Sequence, residues 1–178
     1  MKENIWFTFK ARIQAHTRLE WLDLHSQLLL VWYAILGTVL SVVSVRYPQA
    51  LGSDTDILAA ILSVALLAVS LSLANRDFRG RALAMRTNYR GLQRLHAQID
   101  KDNDATPEQL TCYHDLLARS ENHRDIDDLI FRVRNSATLE NRRPNPGEVV
   151  YAYIWLVSRI FVTVALYGLP LLVAYLLK

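Results

Sequence analysis

The sequence predicts an all-α integral membrane protein, with a transmembrane helical hairpin, a C-terminal third span and a cytoplasmic helical bundle. Three observations predict this class. The apolar residues fall in three long blocks without charge. The 20 Lys and Arg and the 17 Asp and Glu residues lie outside those blocks. No useful length of sequence alternates with the period of two that a half-buried strand requires, so helices in lipid are favoured.

The composition narrows the class of protein further. The single cysteine, Cys112, excludes an internal disulfide and a cysteine-rich zinc site. A net charge of +3 is what positive-inside loops give a membrane protein, so it is weak evidence for nucleic acid. Lys10 and Arg12 interrupt the first apolar residues, and no cleaved signal peptide is predicted.

Residues 1–27 predict a cytoplasmic amphipathic helix that continues into the first span. Apolar side chains recur there every three or four residues, with one gap at His16. They are Ile5, Phe9, Ile13, Leu19 and Leu22.

Residues 28–45 and 57–74 predict a transmembrane hairpin. Each run has 18 residues without a charge, or about 27 Å of helix, close to the thickness of the hydrocarbon core. The connection carries the turn-forming residues Pro48, Gly52, Ser53 and Asp54.

Residues 151–177 predict the third span, in which Arg159 needs an explanation. We expect Arg159 at the cytoplasmic interface, where its side chain can reach the headgroups. The alternative is a buried functional charge within a helix bundle. Pro170 should kink this span, which a membrane helix tolerates when a neighbour pairs the carbonyl that proline frees.

Flanking charges predict the orientation. Only Arg46 lies between the first two spans, whereas Lys and Arg cluster before the first span and after the second. The positive-inside rule therefore places the N-terminus and residues 75–148 in the cytoplasm and the C-terminus on the opposite side of the membrane.

Residues 75–148 predict further helices. The helix of the second span is expected to run unbroken from Ile57 to about Lys101, roughly 65 Å, although Gly80 and Gly91 weaken it. A polar turn follows over residues 101–105. Thr106, Pro107 and Gln109 then predict a capped helix start, and its apolar stripe extends to Val133.

The densest polar cluster contains Glu121, Asn122, His123 and Asp127. His123 and Asp127 are four residues apart, so on one helix they would share a face and could pair. Glu121 and His123 would point about 200° apart, which disfavours a metal site. A structural contact between helices is favoured; a metal or acid–base role and a contact with a partner or ligand stay open. No phosphate loop, nucleophile elbow or metalloprotease motif is present, so we predict no enzyme activity and no cofactor.

Two other sets of residues are candidate contact surfaces. Gly37 with Ser41, and Ser63 with Ser70, form small-residue faces that suit helix packing or, in an oligomer, a pore wall. An arginine series could contact phosphates of nucleic acid or of anionic lipids, although its spacing should spread it over more than one face. The series comprises Arg76, Arg79, Arg81, Arg86, Arg90 and Arg94.

The pattern as a whole resembles the SLATT group of bacterial two-span effector domains. The resemblance rests on the hairpin ending in LAVSLSLAN at residues 67–75, on the helix that follows, and on the segment from Tyr113 to Asp127 that contains Ser-Glu-Asn-His. The nearest subset is the one with an extra C-terminal span, found beside retron reverse transcriptases.

The resemblance implies an antiphage abortive-infection effector that a partner restrains until a sensor is triggered. The partner would be a reverse transcriptase with its multicopy single-stranded DNA, or a nucleotide-signalling sensor. Anionic lipids and further copies of the chain are the other expected partners. Tyr113, Glu121, Asn122, His123 and Asp127 carry over as family positions of unassigned role.

Three functional hypotheses follow. The first is an effector that assembles into a pore and disrupts the membrane. The alternative is a non-toxic anchor or scaffold for a cytoplasmic complex. A membrane-embedded enzyme would depend on Arg159 and His123 alone.

Overall fold

The computed structural model describes residues 1–48, 52, 55–99 and 105–176. These ranges form six α helices and contain no β strand, which confirms the all-α prediction. The helices are α1 (Lys2–Arg46), α2 (Thr55–Arg76), α3 (Phe78–Gln98), α4 (Pro107–Ala118), α5 (Asp125–Arg134) and α6 (Pro146–Leu176). The predicted turn residues Ser53 and Asp54, the polar turn at 101–104 and the last residue of the third span lie outside the described residues.

Three helical stretches are long and apolar enough to cross a membrane: α1, the stretch Thr55–Gln98, and Pro146–Tyr175. The most apolar 18-residue windows of these stretches have mean hydropathies of 2.3, 2.6 and 2.0, and none of their residues is buried within the chain. A protein dissolved in water does not expose apolar surface on this scale. The chain is therefore a helical membrane protein.

The chain divides into two compact units. The helical unit comprises Met1–Leu22 and Phe78–Leu156, and the membrane unit comprises Asp23–Asp77 and Val157–Lys178. Helices α1 and α6 each contribute residues to both.

Within the membrane unit, Pro170 creates a need that α1 meets. Proline has no backbone N–H, so the carbonyl of Leu166, four residues earlier, loses its helical donor. The Tyr33 hydroxyl donates to that carbonyl at 2.8 Å, and Trp32 Nε1 donates to the next carbonyl, that of Tyr167, at 3.1 Å. The expectation that a neighbour pairs the freed carbonyl is confirmed.

Within the helical unit, α1 buries the predicted apolar stripe and also a second face that the stripe did not include. Ile5 and Phe9 pack with Leu92, Leu95 and Ile99 in one cluster. Phe7, two residues from each, packs with Phe131 and Leu139 in another. Residues two apart point to different sides of a helix, so α1 lies between two sets of neighbours.

The predicted unbroken helix from residue 57 to 101 is interrupted at Asp77. Its φ is +40°, in the left-handed region that Asp adopts more readily than most residues, and α3 begins at Phe78. Gly91 does not break α3. A Cβ at Gly91 would lie 2.8 Å from a Leu116 methyl carbon, so this glycine permits close packing of α4 on α3.

The helix predicted from Thr106 to Val133 is two helices, because residues 119–124 leave the helical conformation between α4 and α5. The predicted start is confirmed. The Thr106 hydroxyl accepts from the Gln109 N–H at 3.3 Å, and the Gln109 side chain accepts from the Thr106 N–H at 3.0 Å.

Candidate functional site

The first part of the candidate site is a buried ion pair at the start of α5. Arg18 donates to both carboxylate oxygens of Asp127, at 2.8 and 3.0 Å. Asp127 is 1% exposed and Arg18 is 6% exposed. Asp127 also accepts from the Arg124 N–H at 3.0 Å, which caps the first turn of α5. One carboxylate therefore fixes both the start of α5 and its attachment to α1.

The predicted pairing of His123 with Asp127 was wrong. That prediction placed both residues on one helix, but His123 lies in the segment before α5 begins. Asp127 is taken by Arg18, and His123 Nδ1 is buried with no hydrogen-bond partner among the described residues. The geometric argument against Glu121 and His123 sharing a ligand also fails, because neither lies on a helix.

The second part of the site is Arg12, which is 1% exposed. Its Nη1 donates to the side-chain oxygen of Asn88 and, at 3.4 Å, to the carbonyl of Leu116. Asn88 donates to the same carbonyl at 2.5 Å. Arg12 thus connects α1 to α3 and α4 through neutral acceptors.

Arg12 has no carboxylate within ion-pair distance in the described part of the chain, and its Nε has no partner there. Burial lowers the pKa of Arg12. A guanidinium nevertheless remains protonated in proteins, so the helical unit contains a buried cation without a counterion. Burying such a charge lowers the free energy of unfolding unless all of its donors are hydrogen-bonded.

Two histidines of the helical unit, His123 and His16, lie close enough to arginines for their pKa values to be affected. Burial lowers the pKa of His123, Arg12 lowers it further, and the carboxylates of Asp128, Asp127 and Asp125 oppose the shift. Burial also lowers the pKa of His16, where Glu20 opposes the shift and Arg86 and Arg90 add to it. The helical unit therefore favours the neutral form of both imidazoles.

The remaining family positions make separate contacts. The Tyr113 hydroxyl lies 3.1 Å from the Thr8 hydroxyl. Glu121 accepts from Arg81 at 2.9 to 3.1 Å, which ties the segment before α5 to α3. Asn122 is exposed. The structure thus brings the family positions into one unit but not into one cluster.

A second ion-pair group attaches α5 to the start of α6. Arg132 contacts Asp128 at 2.9 Å and Glu148 at 3.0 Å. The hydrogen bond from Arg132 and the one from the backbone of Asn145 lower the pKa of Glu148. Helix α5 is therefore linked by charge to both α1 and α6.

The candidate packing residues of the membrane unit include one position with open space beside it in the described part of the chain. A Cβ at Gly37 would have nothing within 4 Å. The hydroxyls of Ser41, Ser63 and Ser70 each donate to the carbonyl four residues earlier, at 2.7 to 2.9 Å. Arg159 is half-buried within α6, and its interfacial role stays a prediction.

The arginine series spreads over more than one face, as predicted. Arg76 ends α2, and Arg81 lies on another side of α3, where it is bound to Glu121. The other four are exposed and lie within about 80° of one another around α3, at 100° per residue. These four are Arg79, Arg86, Arg90 and Arg94.

Sequence reasoning missed Arg12 and Arg18, which it counted as flanking charges. A signal for Arg12 was present, because Ile5, Phe9, Arg12, His16 and Leu19 follow one another at helical spacing. The gap in the apolar stripe at His16 marks a polar position inside the core.

The described residues contain no group of three or more His, Cys, Asp or Glu that could hold a metal ion. The chain matches no curated protein and no solved structure. The family model for SMODS and SLOG-associating 2TM effector domains, family 5, matches residues 1–177. The chain therefore belongs to this family of two-transmembrane effector domains, which is linked to antiphage and toxin systems.

Proposed function

We propose that this chain is the membrane-disrupting effector of a bacterial antiphage system, in which it kills the infected cell by forming an oligomeric pore in the inner membrane. It acts without catalysis and without a cofactor. One observation carries the proposal: a single effector-domain family model covers both units, residues 1–177. The effect must then come from the three apolar helices and the small helical unit attached to them.

The membrane unit has the groups that a pore would need. Ser63 and Ser70 lie on one face of α2, seven residues apart, and Gly37 with Ser41 forms a small-residue step on α1. Each of the three hydroxyls is satisfied within its own helix, so the helices can change neighbours without losing those bonds. Assembly of several copies would place these small polar faces around a common axis.

The helical unit has the features of a restrained state. Among the described residues, the buried Arg12 has no counterion, and the Nδ1 atoms of His16 and His123 have no hydrogen-bond partner. These unsatisfied groups lower the stability of the packed helical unit. We infer that a partner binds this unit and stabilises it by mass action. In a retron the partner is a reverse transcriptase with its multicopy single-stranded DNA; elsewhere it is a nucleotide-signalling sensor. The N-terminus and the helical unit face the cytoplasm and the C-terminus faces the periplasm.

Expression in bacteria tests the proposal. The chain is induced alone and together with the genes that neighbour it, while a dye reports membrane potential and colony counts report survival. The expected result is depolarisation before loss of viability when the chain is alone, and suppression of both effects by the neighbours. Death with unchanged polarisation would contradict pore formation.

A matched pair of variants sharpens that experiment. Ser63→Val with Ser70→Val removes both hydroxyls from the proposed pore face, and should slow depolarisation. Val64→Ile with Val69→Ile also adds one non-hydrogen atom at each of two positions, but on other faces of the same helix, and should leave depolarisation unchanged. Equal effects of the two doubles would reject this face as the pore wall.

A non-toxic anchor for a cytoplasmic complex is the second candidate, and the basic face of α3 favours it. An anchor would be harmless when expressed alone and would bring down a soluble complex from detergent extracts.

A further inference from the structure

The outward face of α3 carries a continuous line of positive charge. Arg79, Arg86, Arg90 and Arg94 are exposed and share one face of the helix. From the first to the last is 15 residues, or about 22 Å along the axis. Successive members of the last three lie about 6 Å apart. We call these four residues the arginine face.

Nothing on α3 neutralises this charge. The helix Phe78–Gln98 contains five arginines and no Asp or Glu. None of the four is in an ion pair with a described carboxylate, whereas Arg81, on another side of α3, is held by Glu121. Glu20 raises the pKa of His16 whereas Arg86 and Arg90 lower it, so one carboxylate of α1 lies in the same region as two arginines of the face. Four arginines and one nearby carboxylate still leave the face with a net positive potential that is available to an external anion.

The opposite side of α3 argues against a lipid surface as the partner. A helix that lies on a bilayer needs exposed apolar side chains beside its basic ones. Here the apolar residues Ala82, Met85, Leu92 and Leu95 are buried in the helical unit. Leu83 is the one large apolar side chain of α3 that the structure shows exposed.

We propose that the arginine face binds the phosphodiester backbone of a nucleic acid. All four cations of the face are arginines, whose guanidinium forks pair with phosphate oxygens through two hydrogen bonds. The exposed face carries no aromatic side chain for stacking on bases, because Tyr89 packs against the core. Binding is therefore directed to the backbone and independent of base sequence. The inference rests on one part of the proposed function, the cytoplasmic position of the helical unit, and not on pore formation.

Titration of a labelled oligonucleotide tests the proposal. The full chain, purified in a zwitterionic detergent, is mixed with a fluorescent 20-nucleotide single strand at 50 to 200 mM salt, and anisotropy reports binding. Four phosphate contacts predict a slope of log affinity against log salt near −2.8, or about a fifty-fold loss across that range. Arg86→Gln with Arg90→Gln should roughly halve the slope.

The control double Arg46→Gln with Arg119→Gln removes the same net charge from exposed arginines outside the face, and should leave the slope near the wild-type value. If the two double variants reduced the salt slope equally, the proposal would be overturned, because binding would then depend only on the net charge of the chain. Absence of measurable binding at 50 mM salt would also overturn it. The proposal would also be overturned if Arg86→Gln with Arg90→Gln lost binding to anionic-lipid nanodiscs and kept binding to the oligonucleotide. Protease protection in cells tests the cytoplasmic position separately, so failure of the topology and failure of the binding are distinguishable.

Discussion

The two units differ in how most of their polar side chains are satisfied. In the membrane unit, the hydroxyls of Ser41 and Ser63 bond to carbonyls of their own helix, and the bond from Tyr33 to the carbonyl freed by proline is an exception that joins α1 to α6. In the helical unit, Arg18 and Asp127 are 109 residues apart and Arg12 and Asn88 are 76 apart. Bonds within one helix survive a change of neighbouring helices, whereas bonds between distant segments are lost when those segments separate. Opening of the helical unit would therefore cost the bonds of Arg12 and Arg18, whereas the serine hydroxyls of the membrane unit would keep theirs.

The largest effect is expected from the Arg18–Asp127 pair. Asp127→Ala leaves a buried guanidinium unpaired and should lower the free energy of unfolding by about 3–5 kcal/mol. The double variant Arg18→Met with Asp127→Leu removes both charges and should lose less than either single change. Chemical denaturation in detergent, followed by circular dichroism, measures both. A double variant as unstable as the sum of its singles would show that the pair acts through something other than its charges.

Asn88 tests whether neutral acceptors hold Arg12. Asn88→Leu removes the acceptor of a charge-assisted hydrogen bond and should cost about 2 kcal/mol. Asn88→Asp places a carboxylate at the same position, gives Arg12 a counterion and should be more stable than Asn88→Leu. The same denaturation experiment compares the free energies of unfolding of these two variants. If both substitutions destabilise equally, the absence of a counterion for Arg12 does not limit the stability of the helical unit.

In the membrane unit a smaller effect is expected from Tyr33. Tyr33→Phe leaves the Leu166 carbonyl without its donor and should lower the stability by about 0.6 kcal/mol, the average for hydrogen bonds between membrane helices, and by no more than about 1.7 kcal/mol. Pro170→Ala restores the helical N–H that pairs this carbonyl. In the Pro170→Ala background, Tyr33→Phe should therefore have almost no effect on thermal stability in detergent. An unchanged cost there would show that Tyr33 acts through packing instead.

The smallest effect is expected from pH. The pKa values of His16 and His123 in the fold lie below the value of about 6.5 for an unperturbed histidine. Below about pH 6.5 the unfolded state therefore binds more protons than the folded state does. The free energy of unfolding has its full value above that pH and decreases as the pH falls below it. Unfolding midpoints at pH 8 and pH 5.5 measure the loss. His16→Gln with His123→Gln should reduce the difference, and the part that remains is expected from His96, whose pKa is lowered by burial and by Lys2 and Lys10.

The features set by local chemistry or by the solvent were predictable. Charge-free lengths of 18 residues identify helices long enough for lipid, and the Thr106 capping box involves residues three apart. Asp77 was not predictable, because an isolated left-handed residue leaves no periodic signal. Arg12 and Arg18 were misassigned for a related reason: a charge enters a core only when the fold brings a distant partner, and Asn88 and Asp127 are far away in sequence. Pro170 predicted that a donor was needed, but not that Tyr33 would supply it.

Reconstitution of the purified chain into vesicles tests the central claim most directly. The chain, without any partner, is inserted into liposomes of bacterial lipid composition that contain a self-quenched dye of small size. The proposed pore predicts that the dye escapes at a rate that rises more steeply than linearly with protein concentration, as assembly of several copies requires. Vesicles that stay sealed at every concentration, although the chain is demonstrably inserted, would contradict the account.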